Sequence, residues 1–347
     1  MKKTLLLSAL LLSSSSFAVR YQVISQHPHD VEEIKEHVRT VSQKGRLWIV
    51  EGENLPASAL KHLKPLDGSE KHYTYSPLTL SPVNARIRRE VAKLSETLIR
   101  DYVIKLASYK TRLVGTSDNI KAVEEIEKNL SELGFETSQI CYASKRCSVL
   151  AEKKGSMNPE KVILVEAHMD SVGKNYAGAD DNASGTAVLM EMARVLSTYK
   201  NKKTIRFFVT NGEESGLKGA HHYAGLLTKS GEIQNLELVI NMDMVGWNKN
   251  GIVELETDAP YDSLAKSFAD LASNYTTLKT KITIGAWGSD HVPFLKAGVP
   301  SILTIEDWST KTPCYHSACD KPEGLNYSYA TEIGKLNVSA VMTKDLE

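Results

Sequence analysis

A chain of 347 residues, 41% hydrophobic and 24% charged, has the size and composition of one large globular domain or two modest ones. Lysine plus arginine and aspartate plus glutamate stand at 42 each, a formal net charge of zero, which leaves no electrostatic footprint for nucleic acid or an anionic membrane. Any partner has to be recognised locally.

Residues 1–18 read as a processing segment: Lys2 and Lys3 supply positive charge, Leu5 to Leu12 an apolar stretch, and Ser16-Phe17-Ala18 a small-x-small cleavage site. The mature chain is expected to begin at Val19, exported to the periplasm or beyond. That apolar stretch is far short of the roughly 20 residues that cross a bilayer, and no later run reaches that length, so no membrane span is expected. Residues 19–85 form an N-terminal segment of mixed pattern. It holds a helical stretch around Val31–Val41, a strand at Leu47–Glu51, and a proline- and glycine-punctuated region up to Pro82. With little apolar mass of its own, it is equally a packed arm, a small module or a prosegment removed after export. Arg86-Ile87-Arg88-Arg89 is either a protease-sensitive boundary or an exposed helix face.

The main domain is expected over residues 86–347. Val91–Leu106 and Asn119–Leu133 carry apolar residues at helical spacing, and Gly134 sits where a C-cap glycine belongs. Apolar runs at Val162–Val165, Ile205–Val209, Leu238–Met242, Ile252–Leu255, Ile282–Ile284 and Ile302–Ile305 predict strands. Helical patterns at Ser184–Tyr199, Ala220–Leu227, Tyr261–Asn274 and Tyr329–Met342 are interleaved with them. Strands alternating with helices predict an α/β domain, a three-layer sandwich around a mostly parallel, mixed sheet. Export places the four cysteines in an oxidising compartment. They allow three pairings; the two local ones, Cys141–Cys147 and Cys314–Cys319, need the least loop closure and are expected. A cysteine zinc site is disfavoured because no C-x-x-C pair is present.

In such sheets, ligands gather outside the carboxyl ends of the strands. There the first predicted strand of the domain runs into His168-Met169-Asp170, the second into Gly212-Glu213-Glu214, and the third ends at Asp243. Between the first strand and its helix lies Gly178-Ala179-Asp180-Asp181-Asn182-Ala183-Ser184-Gly185; Ser289-Asp290-His291 and Tyr315-His316-Ser317 follow later. Each motif alone has a bland reading: a satisfied histidine, a solvated glutamate pair, an aspartate capping a helix. Their convergence is informative. Carboxylates gathered without a cation repel one another, and histidine with carboxylates is a donor set for zinc.

In this order the residues resemble peptidase family M28, the di-zinc peptidases, and within it the secreted bacterial aminopeptidases of the leucyl type. The likeness runs from about Leu94 to the C-terminus. It implies two zinc ions per chain, with Asp180 the carboxylate shared by both, His168 and Asp243 completing one site, and Glu214 and His316 the other. It implies Glu213 as general base toward a metal-activated water, and Asp170 as the group that fixes the tautomer of His168. Asp181 would support the site beside Asp180, through a cis peptide bond between the two, and Asp290 would orient His316. Trp287 and Tyr315 flank these motifs and would line the side-chain pocket or simply pack. The function so implied is removal of single residues from peptides with a free amino terminus. A carboxypeptidase, a glutaminyl cyclase with one zinc, or a non-catalytic binding module on the same fold are the alternatives. Oligomeric state has no signature in the sequence.

Overall fold

The computed structural model describes residues 19–24, 38–44, 47–52, 64–65, 71–75, 82–285 and 288–347. The chain divides into two units, residues 1–69 and 70–347. In the first, β1 (Val19–Ile24), β2 (Arg39–Lys44), β3 (Leu47–Gly52) and β4 (Lys64–Pro65) pair antiparallel in the order β2-β3-β1-β4. The helix expected around Val31–Val41 is therefore wrong at its end. Arg39, Thr40 and Val41 belong to β2, where β3 supplies the backbone partners that local helical spacing could not foresee. Residues 31–37 lie outside the described residues, as does the expected processing segment 1–18.

The second unit is built on a sheet of nine strands among the described residues: β5 (Lys71–Tyr73), β6 (Glu136–Ala143), β7 (Arg146–Lys153), β8 (Asn158–His168), β9 (Lys203–Thr210), β10 (Leu236–Met242), β11 (Ile252–Thr257), β12 (Lys279–Ile284) and β13 (Ser301–Glu306). Their order is β5-β12-β11-β13-β10-β8-β9-β7-β6. β13, β10, β8 and β9 form a contiguous parallel core, flanked on each side by antiparallel neighbours, so the sheet is mixed. β8 explains the apolar run at its centre. Ile163, Val165 and Ala167 face one core, Val162 and Leu164 the other, and a strand covered on both faces has no polar side to alternate.

On the larger core pack α1 (Ala85–Val91), α2 (Glu96–Ala107), α3 (Ser117–Glu132), α4 (Gly185–Ser197), α6 (Asp262–Tyr275) and α8 (Tyr327–Leu346), burying Ile99, Leu130, Leu189, Phe268 and Leu336. The opposite face is covered by α5 (Lys218–Ser230) and α7 (Val292–Lys296), through Tyr223, Leu227 and Phe294. This is the three-layer α/β arrangement expected from the sequence. The helix predicted over Val91–Leu106 is instead two. Ser95 ends the run by capping α2, its Oγ accepting the Leu98 N–H at 3.3 Å while its own N–H donates to buried Glu191 at 2.7 Å. The β6–β7 hairpin had no counterpart among the predicted strands. It turns at Lys145, whose φ is +58°, and directly pairs Cys141 with Cys147. Both disulfides have the expected local pairing.

Candidate metal centre

Parallel β8 and β9 bring His168 opposite Thr210, and β10 lies against the other side of β8, so three strand ends open at one level. Buried His168 reaches from the end of β8 with its Nε2 3.2 Å from Asp243 Oδ1 and 3.4 Å from Asp181 Oδ1. His316 comes from a separate loop at φ +51°, a backbone region unusual for a residue with a side chain. Its Nε2 stands 3.0 Å from Asp181 Oδ2 and 3.3 Å from Glu214 Oε2. Two donor sets result, His168/Asp181/Asp243 and Asp181/Glu214/His316, each with its atoms within 4.8 Å of one another. They share Asp181.

The expectation that Asp180 is shared is thereby corrected. The Asp180 carboxylate points the other way, its Oδ1 accepting from Gly246 N at 2.8 Å and Trp247 N at 3.2 Å. Neighbouring residues in this tight loop aim their side chains in different directions, so the second aspartate faces the imidazoles. The cis peptide bond likewise lies one residue later than expected, between Asp181 and Asn182. Asn182 ties this turn to the end of β10, donating to Met242 O at 2.8 Å and accepting from Gly185 N at 2.9 Å. Residue 185 has to be glycine, because a Cβ there would stand 2.4 Å from Asn182 Oδ1 and 2.6 Å from Met242 O.

Asp170 joins two strand ends rather than acting on His168 alone. Its carboxylate accepts the N–H groups of Glu213 and Glu214, both at 3.2 Å. The acceptor within hydrogen-bond range of His168 Nδ1 is the Asp170 carbonyl at 3.2 Å, with the carboxylate at 3.6 Å. Glu213 is buried with Oε2 4.0 Å from His168 Nε2, beside the first donor set but outside it. Asp243 is held from behind by Ser289, whose Oγ donates to Oδ2 at 2.6 Å and accepts from Asn241 at 2.8 Å.

Asp290 does not orient His316. It is fully buried with its carboxylate accepting from Thr210 Oγ1, because Ser289-Asp290 leads into α7 beneath the strand ends while His316 sits on another loop. Tyr315 stacks on the His316 ring, centroids 3.9 Å apart, and meets Trp308 edge-on at 5.3 Å. Trp287 lies outside the described residues. Two residues assigned no role from the sequence also converge here. Asp320 accepts from the N–H groups of Asp180 at 2.7 Å and Asp181 at 3.1 Å, and the Arg112 guanidinium lies beneath the same loop. A lone acid after a cysteine and an arginine after a helix carry no local pattern that would mark them.

The electrostatics favour positive charge between the carboxylates. Burial works against a charged His316, yet Asp181 and Glu214 pull it up to about 10. Burial likewise opposes a charged His168, but Asp243, Asp170 and Asp181 raise it well above its ordinary value. Burial would raise Asp181, and the two imidazoles override it and hold the carboxyl far below the usual range. A nitrogen and oxygen donor set that attracts cationic charge, with one carboxylate offering an oxygen to each side, fits a pair of zinc ions.

A layered α/β sheet with paired nitrogen–oxygen ligand sets at its strand ends defines the class of protein. The sequence model described as Peptidase family M28 matches residues 148–341, and the chain belongs to that family. Over 198 residues it is 34% identical to Aminopeptidase YwaD of Bacillus subtilis (strain 168), covering 55% of this chain and 43% of that one. It superposes on LapB from Legionella pneumophila with a TM-score of 0.74 at 19% identity, over 95% of this chain and 100% of that one. With Porphyromonas gingivalis glutaminyl cyclase the TM-score is 0.61 at 21% identity, over 72% and 99%. The chain spans about half the length of the curated relatives it matches first.

Proposed function

We propose that this protein is an exported di-zinc aminopeptidase that hydrolyses the first peptide bond of peptides with a free amino terminus. The observation that carries the reading is Asp181 offering one oxygen to each imidazole while Glu213 stands just outside the donor sets. His168, Asp181 and Asp243 would hold one ion, and Asp181, Glu214 and His316 the other. Bound zinc supplies Lewis acidity and lowers the pKa of water from 15.7 to about 7.

The chain's own residues do the rest. Glu213 takes a proton from the attacking water and returns it to the leaving amine, a role worth about 10²–10⁴-fold in rate. The Asp170 carboxylate fixes the backbone of both glutamates, so one can face the donor set while the other faces the reacting water. The substrate's ammonium would sit among the carboxylates, which limits cleavage to one residue, and the Tyr315–Trp308 pair walls the space beside His316. Export follows from the pattern of residues 1–18 and agrees with the two disulfides. Whether residues 19–85 stay attached is read directly from the intact mass of the exported form.

A metal count beside a substrate panel tests the proposal. Aminoacyl anilides are expected to turn over, and N-blocked ones to be inert. Hydrolysis confined to C-terminal residues, or cyclisation of N-terminal glutamine, would move the assignment to carboxypeptidase or to cyclase. Glu213→Ala is expected to keep both zinc ions and lose at least ~100-fold in kcat. Undiminished kcat would remove the general-base role.

A further inference from the structure

We infer that Arg112 is the positioning residue of the metal centre, a buried fork that sets the distance between the loop carrying Asp181 and the strand end carrying His168. This rests on the di-zinc reading above. Arg112 is the largest side chain that is fully buried in the described protein. Its guanidinium spends its donors on carbonyls alone: Nε to Met169 O at 2.7 Å, Nη1 to Leu106 O at 3.0 Å and Ala177 O at 2.5 Å, and Nη2 to Gly178 O at 2.7 Å. Met169 stands between His168 and Asp170. Ala177 and Gly178 begin the loop that delivers Asp181. One planar, rigid group therefore spans both ligand-bearing segments, a task for which a flexible ammonium is ill suited.

The fork is itself immobilised. The Arg112 N–H donates to Ser171 Oγ at 3.1 Å, and its carbonyl accepts from Asn119 at 2.9 Å. The loop is pressed so closely on it that a Cβ at Gly178 would fall 2.4 Å from Asp181 O and 3.1 Å from Arg112 Nη2. From the other side Asp320 grips the N–H groups of Asp180 and Asp181. The shared carboxylate is thus carried on a strap held between a buried cation and a buried anion.

Charge alone would argue against this cation. Arg112 takes no ion pair among the described residues, and Asp320, Asp170, Asp181 and Glu214 surround it only at longer range. A fixed positive charge behind a centre meant for divalent cations repels them. Its gain has to come from geometry, and that gives the test a sign. Removing the charge without the geometry would tighten zinc; losing the geometry would loosen it.

The test measures zinc affinity of the full-length chain by competition with a chromophoric chelator, together with the visible absorption of the cobalt-substituted protein. In Arg112→Gln, zinc is expected to bind 10–100-fold more weakly despite the lost repulsion, with altered cobalt bands. Arg112→Lys keeps the charge and is expected to show a similar loss. Binding in Arg112→Gln as tight as wild type, or tighter, overturns the inference. If neither variant folds by circular dichroism, Ser171→Ala decides. It takes away the hydroxyl that accepts the Arg112 N–H and so loosens the fork itself; weaker zinc and shifted cobalt bands are expected, and wild-type values overturn the inference. A wild-type chain that takes up no zinc at all would instead defeat the di-zinc reading on which this rests.

Discussion

The choice between Asp180 and Asp181 decides how the centre works, and it turns on side-chain direction. Asp181 faces both imidazoles; Asp180 faces the Gly246–Trp247 turn and is itself pushed up to about 7, mainly by burial and by Asp320. Asp181→Asn is therefore expected to lose zinc from both sites, because an amide has one acceptor oxygen where two are needed. Asp180→Asn keeps an acceptor for Gly246 and is expected to retain close to two zinc ions per chain. Elemental analysis of the two purified variants reads this directly, and equal metal content in both would return the question to Asp180. The types and order of His168, Glu213, Glu214 and Asp243 were legible because each follows an apolar run that announces a strand end, whereas His316 sits on a loop and was placed by the family resemblance alone. The Asp180–Asp181 choice was not, since two identical neighbours differ only in backbone dihedrals. Asp320 and Arg112 were hidden for a related reason: their partners are backbone atoms, which leave no trace in residue types.

Among the elements, the central strands were the most legible and the edges the least. β8, β9 and β10 announce themselves as apolar runs because both faces are covered. β6, at the sheet's edge, alternates exposed and half-buried residues, and that pattern is lost among polar side chains. The division between α1 and α2 depends on Ser95, whose hydroxyl is weighed only once a helix start is suspected there. Ser95→Ala is expected to destabilise the protein by about 1 kcal/mol, read from the denaturation midpoint, with zinc binding unchanged. The loop from Cys314 to Cys319 has a different function. It carries His316 at positive φ and leads directly into Asp320, so one short closure disciplines a ligand and the anchor of the neighbouring loop. Replacing both cysteines by serine removes a constraint worth about 2 kcal/mol for so small a loop. The expected signature is selective: the Asp181/Glu214/His316 site should lose its zinc at lower chelator concentration, while the His168 site holds. Loss of both ions together, in one step, would contradict that division of labour.

On the scale of the whole molecule, protons and metal ions compete for one centre, and stability should record the competition. In the chelated protein five buried acids stand above their ordinary values, mainly through burial: Asp320 at about 6, Asp180 and Asp290 at about 7, Glu306 at about 11, and Glu166 well above its usual range. Unfolded, such groups titrate near 4, so from roughly pH 4 to 7, and for Glu306 well beyond, the folded chain binds the extra protons. His316 and His168 are raised as well, against the pull of burial, by the facing carboxylates, so their stabilisation is complete below about pH 6.5 and drains away as pH rises toward their folded values. Asp181 has the opposite sign, but its depressed value acts only below about pH 4, outside this window. All seven of these groups therefore give the same slope: the metal-free protein weakens as pH climbs from 6 to 9. Zinc takes the place of the protons on the imidazoles and carboxylates it binds, so the loaded protein should be much flatter over the same range. Calorimetric melting of both forms is expected to show a zinc-induced rise in Tm that widens with pH. Titration calorimetry in buffers of different ionisation enthalpy should show net proton release on binding at pH 7. Because effects elsewhere on the surface act equally on both forms, the difference isolates the centre, and a zinc-induced shift that narrows toward alkaline pH would contradict the electrostatic account.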